Sequence, residues 1–338
     1  MKLPPLILYL KTYKHLWEQF ISKENFELAY KHAIKSKSKQ RQIRQFKKNK
    51  DENLEKVRQL VISGNFHTSQ YKKKTIYEPK ERDIYILPFM PDRIVQHALI
   101  NILKPILTNL FIENTFSCIE GRGQLTASIK CSEYVRKYKY CLKCDIHKFY
   151  PSINHDILSQ KFHRIIKDNK FLAIIDDIIY SFPGDTNCPI GNFTSQWFGN
   201  FYLSFLDNYV YHNLKCHGYE RYCDDFMLFS NDKQYLNSCR DKIELFLETE
   251  LKLKFSKANL FNTKQGVDFC GYRHFGKYVL MRKSTTKRIQ KRFKKISNIS
   301  NYDQDKLKQQ IASTNGWLKH SNSYNLRQSL DLQNLLAS

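Results

Sequence analysis

The sequence predicts a mixed α/β (α+β) fold, and three observations carry that expectation. A content of 41% hydrophobic residues, with 23 Phe and 21 Tyr in 338 residues, is ample for a packed core. Two apolar runs, 140–153 and 221–230, are strand-like, and each delivers acids among aromatics. Stretches with apolar residues at helical spacing lie before, between and after those runs.

Taken in order, residues 1–70 read as a basic helical N-terminal extension. Tyr9, Tyr13, Leu16, Trp17 and Phe20 follow helical spacing, and Lys31 to Lys50 then holds nine Lys or Arg and no acid. The run Leu3 to Leu10 is briefly apolar, but two prolines interrupt it and no small-residue cleavage site follows. No other stretch approaches the roughly 20 apolar residues of a membrane span. Residues 77–88 alternate apolar and polar after a turn, which predicts a two-stranded hairpin with Lys80 and Arg82 on one face. Asp92 is expected to N-cap a helix striped by Ile94, Val95, Ala98, Leu99, Ile102 and Leu103, with Pro105 kinking or ending it. In 120–123 flexible glycines flank Arg122, a pattern suited to a phosphate and equally common in ordinary turns.

The chemistry concentrates in the two strand-like runs. Asp224 and Asp225 sit between Tyr222-Cys223 and an apolar run from Phe226 to Phe229, which predicts a β-hairpin turned near the acids. An Asp-Asp pair alone is most often a solvated turn. Here Asp145 closes a second apolar strand, and three aspartates from two strands can hold two metal ions roughly 3.5–4 Å apart, the clamp of phosphoryl displacement. Hard oxygen ligands of this kind suit Mg²⁺. Between the acidic segments, 155–182 reads as two core helices. The stretch 188–196 then forms a loop opening a long helix, with Gly191 allowing close backbone approach and Ser195 or Gln196 available to cap it.

Beyond the hairpin come an amphipathic helix over 239–251 and a β-hairpin over 267–281 turning at Gly276-Lys277. The basic helical stretch 282–338 follows, in which Met281 to Ile296 holds eight Lys or Arg and no acid. The formal charge of +24 (56 basic, 32 acidic) is thus concentrated in two runs, and a polyanion partner follows. The nine scattered cysteines read as reduced thiols of a cytoplasmic protein. Cys141 and Cys144 lack a second Cys or His pair at zinc-finger spacing, so strand packing is their expected role.

Tyr222-Cys-Asp-Asp225 resembles the Tyr-X-Asp-Asp box of reverse transcriptases, and Asp145 to Tyr150 is similar to their first palm motif; the likeness runs from about Tyr71 to about Asp331. It implies a right-hand polymerase, with fingers and an antiparallel palm sheet backed by helices over 71–281 and a short thumb over 282–338, leaving no length for an added nuclease domain. It implies RNA-directed DNA synthesis with two Mg²⁺ ions: Asp145 and Asp224 bind both metals, Asp225 supports the site and the carbonyl of Ile146 completes a coordination sphere. Lys80 and Arg82 would grip the incoming dNTP triphosphate, and Tyr150 would lie under the sugar and exclude a 2′-hydroxyl. Ile190, Gly191 and Gln196 would meet the nascent pair. Arg122, Lys257, Arg288 and Arg292 would contact nucleic acid, with Lys257 also placed to donate a proton to pyrophosphate.

An aliphatic residue before Gly191, with Ser-Gln after it, is similar to the reverse transcriptases of diversity-generating retroelements, as is Gly316 to Tyr324. That branch implies a template-repeat RNA copied with errors at adenine and a small basic accessory RNA-binding protein. An antiphage or other orphan bacterial reverse transcriptase is the alternative. A non-catalytic maturase-like RNA-binding protein is disfavoured, because all three acids remain.

Overall fold

The structure, a computed structural model, describes residues 11–77, 81–299 and 302–330. Its first helices are α1 (Trp17–Phe20), α2 (Lys23–Ile34), α3 (Arg41–Lys48) and α4 (Lys50–Ile62). Tyr13 does not extend α1 as the spacing predicted. His15 takes a left-handed φ of 57°, and Tyr13 instead bridges Ile166, its N–H donating to the Ile165 carbonyl at 2.8 Å. A distant side chain caps the short helix: Asp168 accepts from the N–H groups of Leu16 and Trp17 at 2.8 and 2.9 Å.

A hairpin forms, but it begins earlier than the expected 77–88: β1 (Lys72–Ile76) lies before that stretch and pairs antiparallel with β2 (Arg82–Ile86), while Lys80 lies outside the described residues. Helix α5 (Ile94–Thr108) buries Ile94, Val95, Ala98, Leu99 and Leu103 as expected. Asp92 does not cap it. That side chain is fully buried and accepts the Ser69 N–H at 2.9 Å, so it ties the strand entering β1 to the start of α5. Pro105 sits inside the helix and does not end it.

Next come α6 (Gln124–Lys137), β3 (Tyr140–Ile146), α7 (Phe149–Ser152), α8 (His155–Ile165), α9 (Asn169–Tyr180) and α10 (Phe193–Asn208). The α10 start corrects a further expectation: Asn192 is the N-cap position, and Ser195 turns inward to donate to the Pro189 carbonyl at 2.7 Å. Strands β4 (Tyr219–Tyr222) and β5 (Asp225–Ser230) form the acidic hairpin, followed by α11 (Lys233–Glu250). Strand β6 (Phe255–Asn262) has no counterpart among the expected elements. The stretch 267–281, expected to be one hairpin, is a three-stranded antiparallel meander, β7 (Val267–Phe269), β8 (Tyr272–His274) and β9 (Val279–Met281). The extra reversal is a turn in which Cys270 and Gly271 both take positive φ, 47° and 86°. Helices α12 (Lys283–Ser297), α13 (Gln304–Lys319) and α14 (Tyr324–Leu330) close the described chain.

The chain divides into two compact units, each assembled from three separated segments. Unit 1 gathers the described residues of Met1–Glu113 with Asp145–Lys215 and Asp241–Lys257; unit 2 gathers Asn114–Cys144, Cys216–Arg240 and the rest from Ala258. In unit 1, Phe20 packs edge-on to Phe171 and Asn25 donates to the Ala98 carbonyl at 3.1 Å, which joins the N-terminal helices to α5 and α9. In unit 2, Cys131, Tyr134, Cys141, Met227, Phe229 and Phe269 share one core. The four-stranded sheet has the order β4-β5-β3-β6. Among the described residues no helix is long and apolar enough to cross a membrane.

Candidate active site

The hairpin of unit 2 places its acids by register. Tyr222 pairs with Asp225, so the reversal is the two-residue turn Cys223-Asp224, with Cys223 left-handed at φ 57°. Tight hairpins favour that conformation, but cysteine adopts it at a cost. The surroundings hold it there. Arg221, fully buried, donates from Nη1 to the Cys223 carbonyl at 2.8 Å, and the Ser117 hydroxyl lies 2.8 Å from the Cys223 sulfur. The 114–116 stretch runs alongside β4, with the Arg221 N–H on the Asn114 carbonyl at 2.9 Å and the Phe116 N–H on the Arg221 carbonyl at 3.0 Å. Below the turn, Phe226 to Phe229 are buried and fix β5.

Asp225 is met by a cation. Lys143 Nζ lies 3.1 Å from its Oδ2 and also donates to the Asp268 carbonyl, while the Asp268 carboxylate pairs with Arg282. Lys143 stands two residues before Asp145, on the same strand face by the period of two. That spacing is the signal that could have singled it out. In the core beneath, Glu220 is fully buried, and burial raises its carboxyl well above the ordinary range. Cys141 and Cys144 are fully buried, in keeping with strand packing.

In unit 1, Asp145 lies at the end of β3, where the Ser256 hydroxyl donates to Oδ2 at 2.5 Å and lies 3.2 Å from the Asp145 carbonyl. Ile146 is buried beside it, and the His147 N–H is held by the Lys254 carbonyl at 2.8 Å. Tyr150, on α7, rests against α10 where only a glycine fits easily: a Cβ on Gly199 would stand 3.1 Å from the Tyr150 and Phe149 rings. The Tyr150 carbonyl accepts the Cys188 N–H at 2.8 Å, linking α7 to the 188–192 loop.

That loop is fastened to the hairpin. The Ile190 carbonyl accepts the Tyr85 N–H at 2.7 Å, and Gly191, at φ 124°, lies so close that a Cβ would stand 2.3 Å from the Tyr85 carbonyl oxygen. The close approach expected at Gly191 is therefore made by the protein's own backbone. Asn192 Nδ2 donates to the Tyr71 hydroxyl at 2.9 Å, and Gln96 Oε1 accepts the Phe193 N–H at 3.0 Å. Ile190 and Gly191 thus share a connected structure with the strand that begins at Arg82, which is exposed.

The remaining predicted residues are spread. Gln196 is exposed in the first turn of α10, Lys257 is exposed on β6, and Arg288 and Arg292 are exposed one turn apart on α12, whose buried face is Thr285, Ile289, Phe293 and Ile296. Arg122 is half-buried, its guanidinium 3.4 Å from the Thr115 carbonyl, so it braces its own loop. Asp145 falls in unit 1 and Asp224 and Asp225 in unit 2. Among the described residues no group of three or more His, Cys, Asp or Glu is gathered as a metal-holding cluster. The donor chemistry nonetheless suits a hard cation: the acids offer only oxygen, and donor groups, Lys143 and Ser256, stand at Asp225 and Asp145.

Residues 71–274, well over half of the chain, match the family model "Reverse transcriptase (RNA-dependent DNA polymerase)". The chain belongs to that family. The mixed helix and sheet architecture described above is accordingly the right-hand polymerase fold of reverse transcriptases. A Saccharomyces cerevisiae relative, the "Putative COX1/OXI3 intron 2 protein", is 26% identical over an alignment of 128 residues that covers 35% of this chain and 15% of that protein. Two solved telomerases are also similar. The apo enzyme of Candida tropicalis has a TM-score of 0.49 and 13% identity over 66% of this chain and 49% of that one. Telomerase of Candida albicans, solved with a fragment of telomeric RNA, has a TM-score of 0.48 and 11% identity over 69% of this chain and 51% of its own. This reverse transcriptase chain therefore spans about half or less of the proteins it resembles.

Proposed function

We propose that the protein is an RNA-directed DNA polymerase, and the observation that carries this reading is the Tyr222-Cys-Asp-Asp225 turn with Asp225 seated on Lys143, inside a reverse transcriptase family match. Asp145, Asp224 and Asp225 would hold two Mg²⁺ ions, with the Ile146 carbonyl as a further oxygen. When bound, the ions supply charge neutralisation at the attacking and leaving oxygens. The chain's own groups do the positioning: Ser256 orients Asp145, Lys143 orients Asp225, and Arg221 with Ser117 sets the turn that presents Asp224. Lys80 and Arg82 grip the triphosphate of the incoming dNTP, where cations balance charge on the departing pyrophosphate. Tyr150 lies under its sugar and discriminates against a 2′-hydroxyl. In this assignment the hairpin belongs to the fingers, 71–281 to fingers and palm, and α12 to α14 to the thumb; Arg122, Lys257, Arg288 and Arg292 carry nucleic acid.

Primer extension on an RNA template tests the reading. Asp224→Asn should lower extension by several orders of magnitude with RNA binding retained, and full activity in that variant removes the polymerase assignment.

The finer reading, a diversity-generating retroelement enzyme making adenine-mutagenic cDNA with an accessory RNA-binding protein, rests on Ile190. A glutamine there can hydrogen-bond the incoming nucleotide, so a correct pair gains a hydrogen bond that a misplaced one lacks, about 0.5–1.5 kcal/mol. Isoleucine offers none. Sequencing cDNA from the unmodified protein and from Ile190→Gln on one template decides it: the variant should make fewer errors, and an identical error spectrum ends the proposal.

A further inference from the structure

In unit 1 a groove of about 300 Å³ lies between α3, the adjoining α4 and the stretch that leads from β2 to α5, lined by Gln42, Gln45, Phe46, Asn53, Phe89 and Met90. Two carboxamides in it are held by half. Gln42 Oε1 accepts the Phe89 N–H at 3.3 Å, and Asn53 Nδ2 donates to the Phe46 carbonyl at 3.0 Å. These backbone partners fix which end of each amide is which, because an N–H must meet oxygen and a carbonyl must meet NH₂. These two amides therefore leave the groove a donor, Gln42 Nε2, and an acceptor, Asn53 Oδ1, beside the exposed carboxamide of Gln45. Its aromatic wall is the edge-to-face pair Phe46 and Phe89, with ring centres 5.1 Å apart.

No charged side chain lines the groove, yet the helix that forms one wall is strongly basic. Arg41, Arg44, Lys47 and Lys48 of α3 are all exposed, while Ile43 and Phe46 are buried. Cations along a helix beside a neutral, amide-lined recess match the two parts of a nucleotide. Phosphates take the charge, and an unstacked base offers an acceptor and a donor on one edge together with a face for aromatic contact.

We propose that this groove receives an unpaired nucleobase of RNA bound along α3, other than the nucleotide being copied, with Gln42 and Asn53 reading its edge. The proposal rests on the RNA-binding reading above. A peptide carboxylate or a lipid headgroup would place its charge in the recess, where nothing answers it.

The test uses the full chain and short single-stranded RNAs, namely oligo-A, oligo-C and oligo-U, with an abasic strand of equal length, read by fluorescence anisotropy. The unmodified protein should prefer at least one base-bearing strand over the abasic one. Gln42→Leu and Asn53→Leu should each cut that preference roughly three- to tenfold and leave abasic binding unchanged. Gln42→Glu, which keeps the oxygen for the Phe89 N–H and removes the donor, should lose the preference as Gln42→Leu does. If circular dichroism shows that Asn53→Leu has lost helix, the two Gln42 variants decide alone. An unchanged preference in Gln42→Leu overturns the proposal and leaves the groove to a protein contact; an equal loss on the abasic strand overturns it as well. Retained primer extension with no base preference anywhere removes the groove alone, whereas absence of all RNA binding and extension removes the polymerase reading itself.

Discussion

Lys143 Nζ lies 3.1 Å from Asp225 Oδ2, so the second acid of the Asp-Asp turn is balanced by a lysine from the same strand that carries Asp145. An ammonium at that distance repels a divalent cation and also fixes the carboxylate that would bind it.

Two opposing effects are therefore expected from Lys143→Met. Removing the positive charge should lower the half-saturating Mg²⁺ concentration several-fold, and freeing Asp225 should lower the maximal extension rate. A Mg²⁺ titration of primer extension reads both, and an unchanged half-saturation would leave Lys143 with a packing role only.

Gly191→Ala should be destabilising. The residue holds φ 124°, and its Cβ would meet the Tyr85 carbonyl at 2.3 Å, so the chain must either accept strain of about 1–3 kcal/mol or release the loop from the hairpin. Limited proteolysis should then cut faster within 72–86, with a lower melting temperature. A variant as stable and as resistant as the parent contradicts this account.

Lys161 gives a pH dependence with a definite sign. Burial lowers its pKa from 10.5 to about 7, although the ammonium sits 3.5 Å from the centre of the Phe205 ring. Between pH 7 and 10.5 the unfolded chain carries this proton and the folded chain does not, so stability rises with pH across that window. Lys161→Met should therefore raise the melting temperature most at pH 7 and below, with the gain fading towards pH 10.5. Thermal melts at three pH values check it, and a gain independent of pH rules the ionisation out as the cause.

RNA affinity should fall steeply with salt. Lys47 and Lys48 on α3 and Arg288 and Arg292 on α12 are all exposed, and each phosphate left without its cation should flatten the plot of log affinity against log salt by roughly 0.7 for a single strand. Glutamine at all four positions is the variant to compare. The same slope in both proteins means that these faces are only solvated.

The elements read correctly from sequence were those set by local pattern. Two acids set in the apolar run 221–230 predicted the hairpin, and helical spacing predicted the buried faces of α5, α8 and α9. The misreadings share one physical cause, a partner remote in sequence. Asp92 has the composition of a cap, but its partner is the Ser69 N–H, and the cap of α1 comes from Asp168. The turn at Cys270-Gly271 went unseen because its glycine answers to the Trp317 ring, 2.6 Å from where a Cβ would stand. Gly276-Lys277, with an ordinary turn sequence, was visible. Ser256 was hidden for a like reason, since it meets Asp145 only once strands pair, whereas Lys143 was marked by its spacing of two from Asp145 and only its partner Asp225 was not.

Each compact unit is stitched from three stretches of chain, and this sets an order on synthesis. Unit 1 cannot close its core when Glu113 leaves the ribosome, because α8 to α10 and then the stretch up to Lys257 have yet to emerge. Until then α2 and α5 present apolar faces with only part of their cover. A nascent chain paused between 113 and 145 should therefore be the form that most needs a chaperone, and splitting the gene at any site between Asn114 and Lys257 would give two products neither of which contains a whole unit.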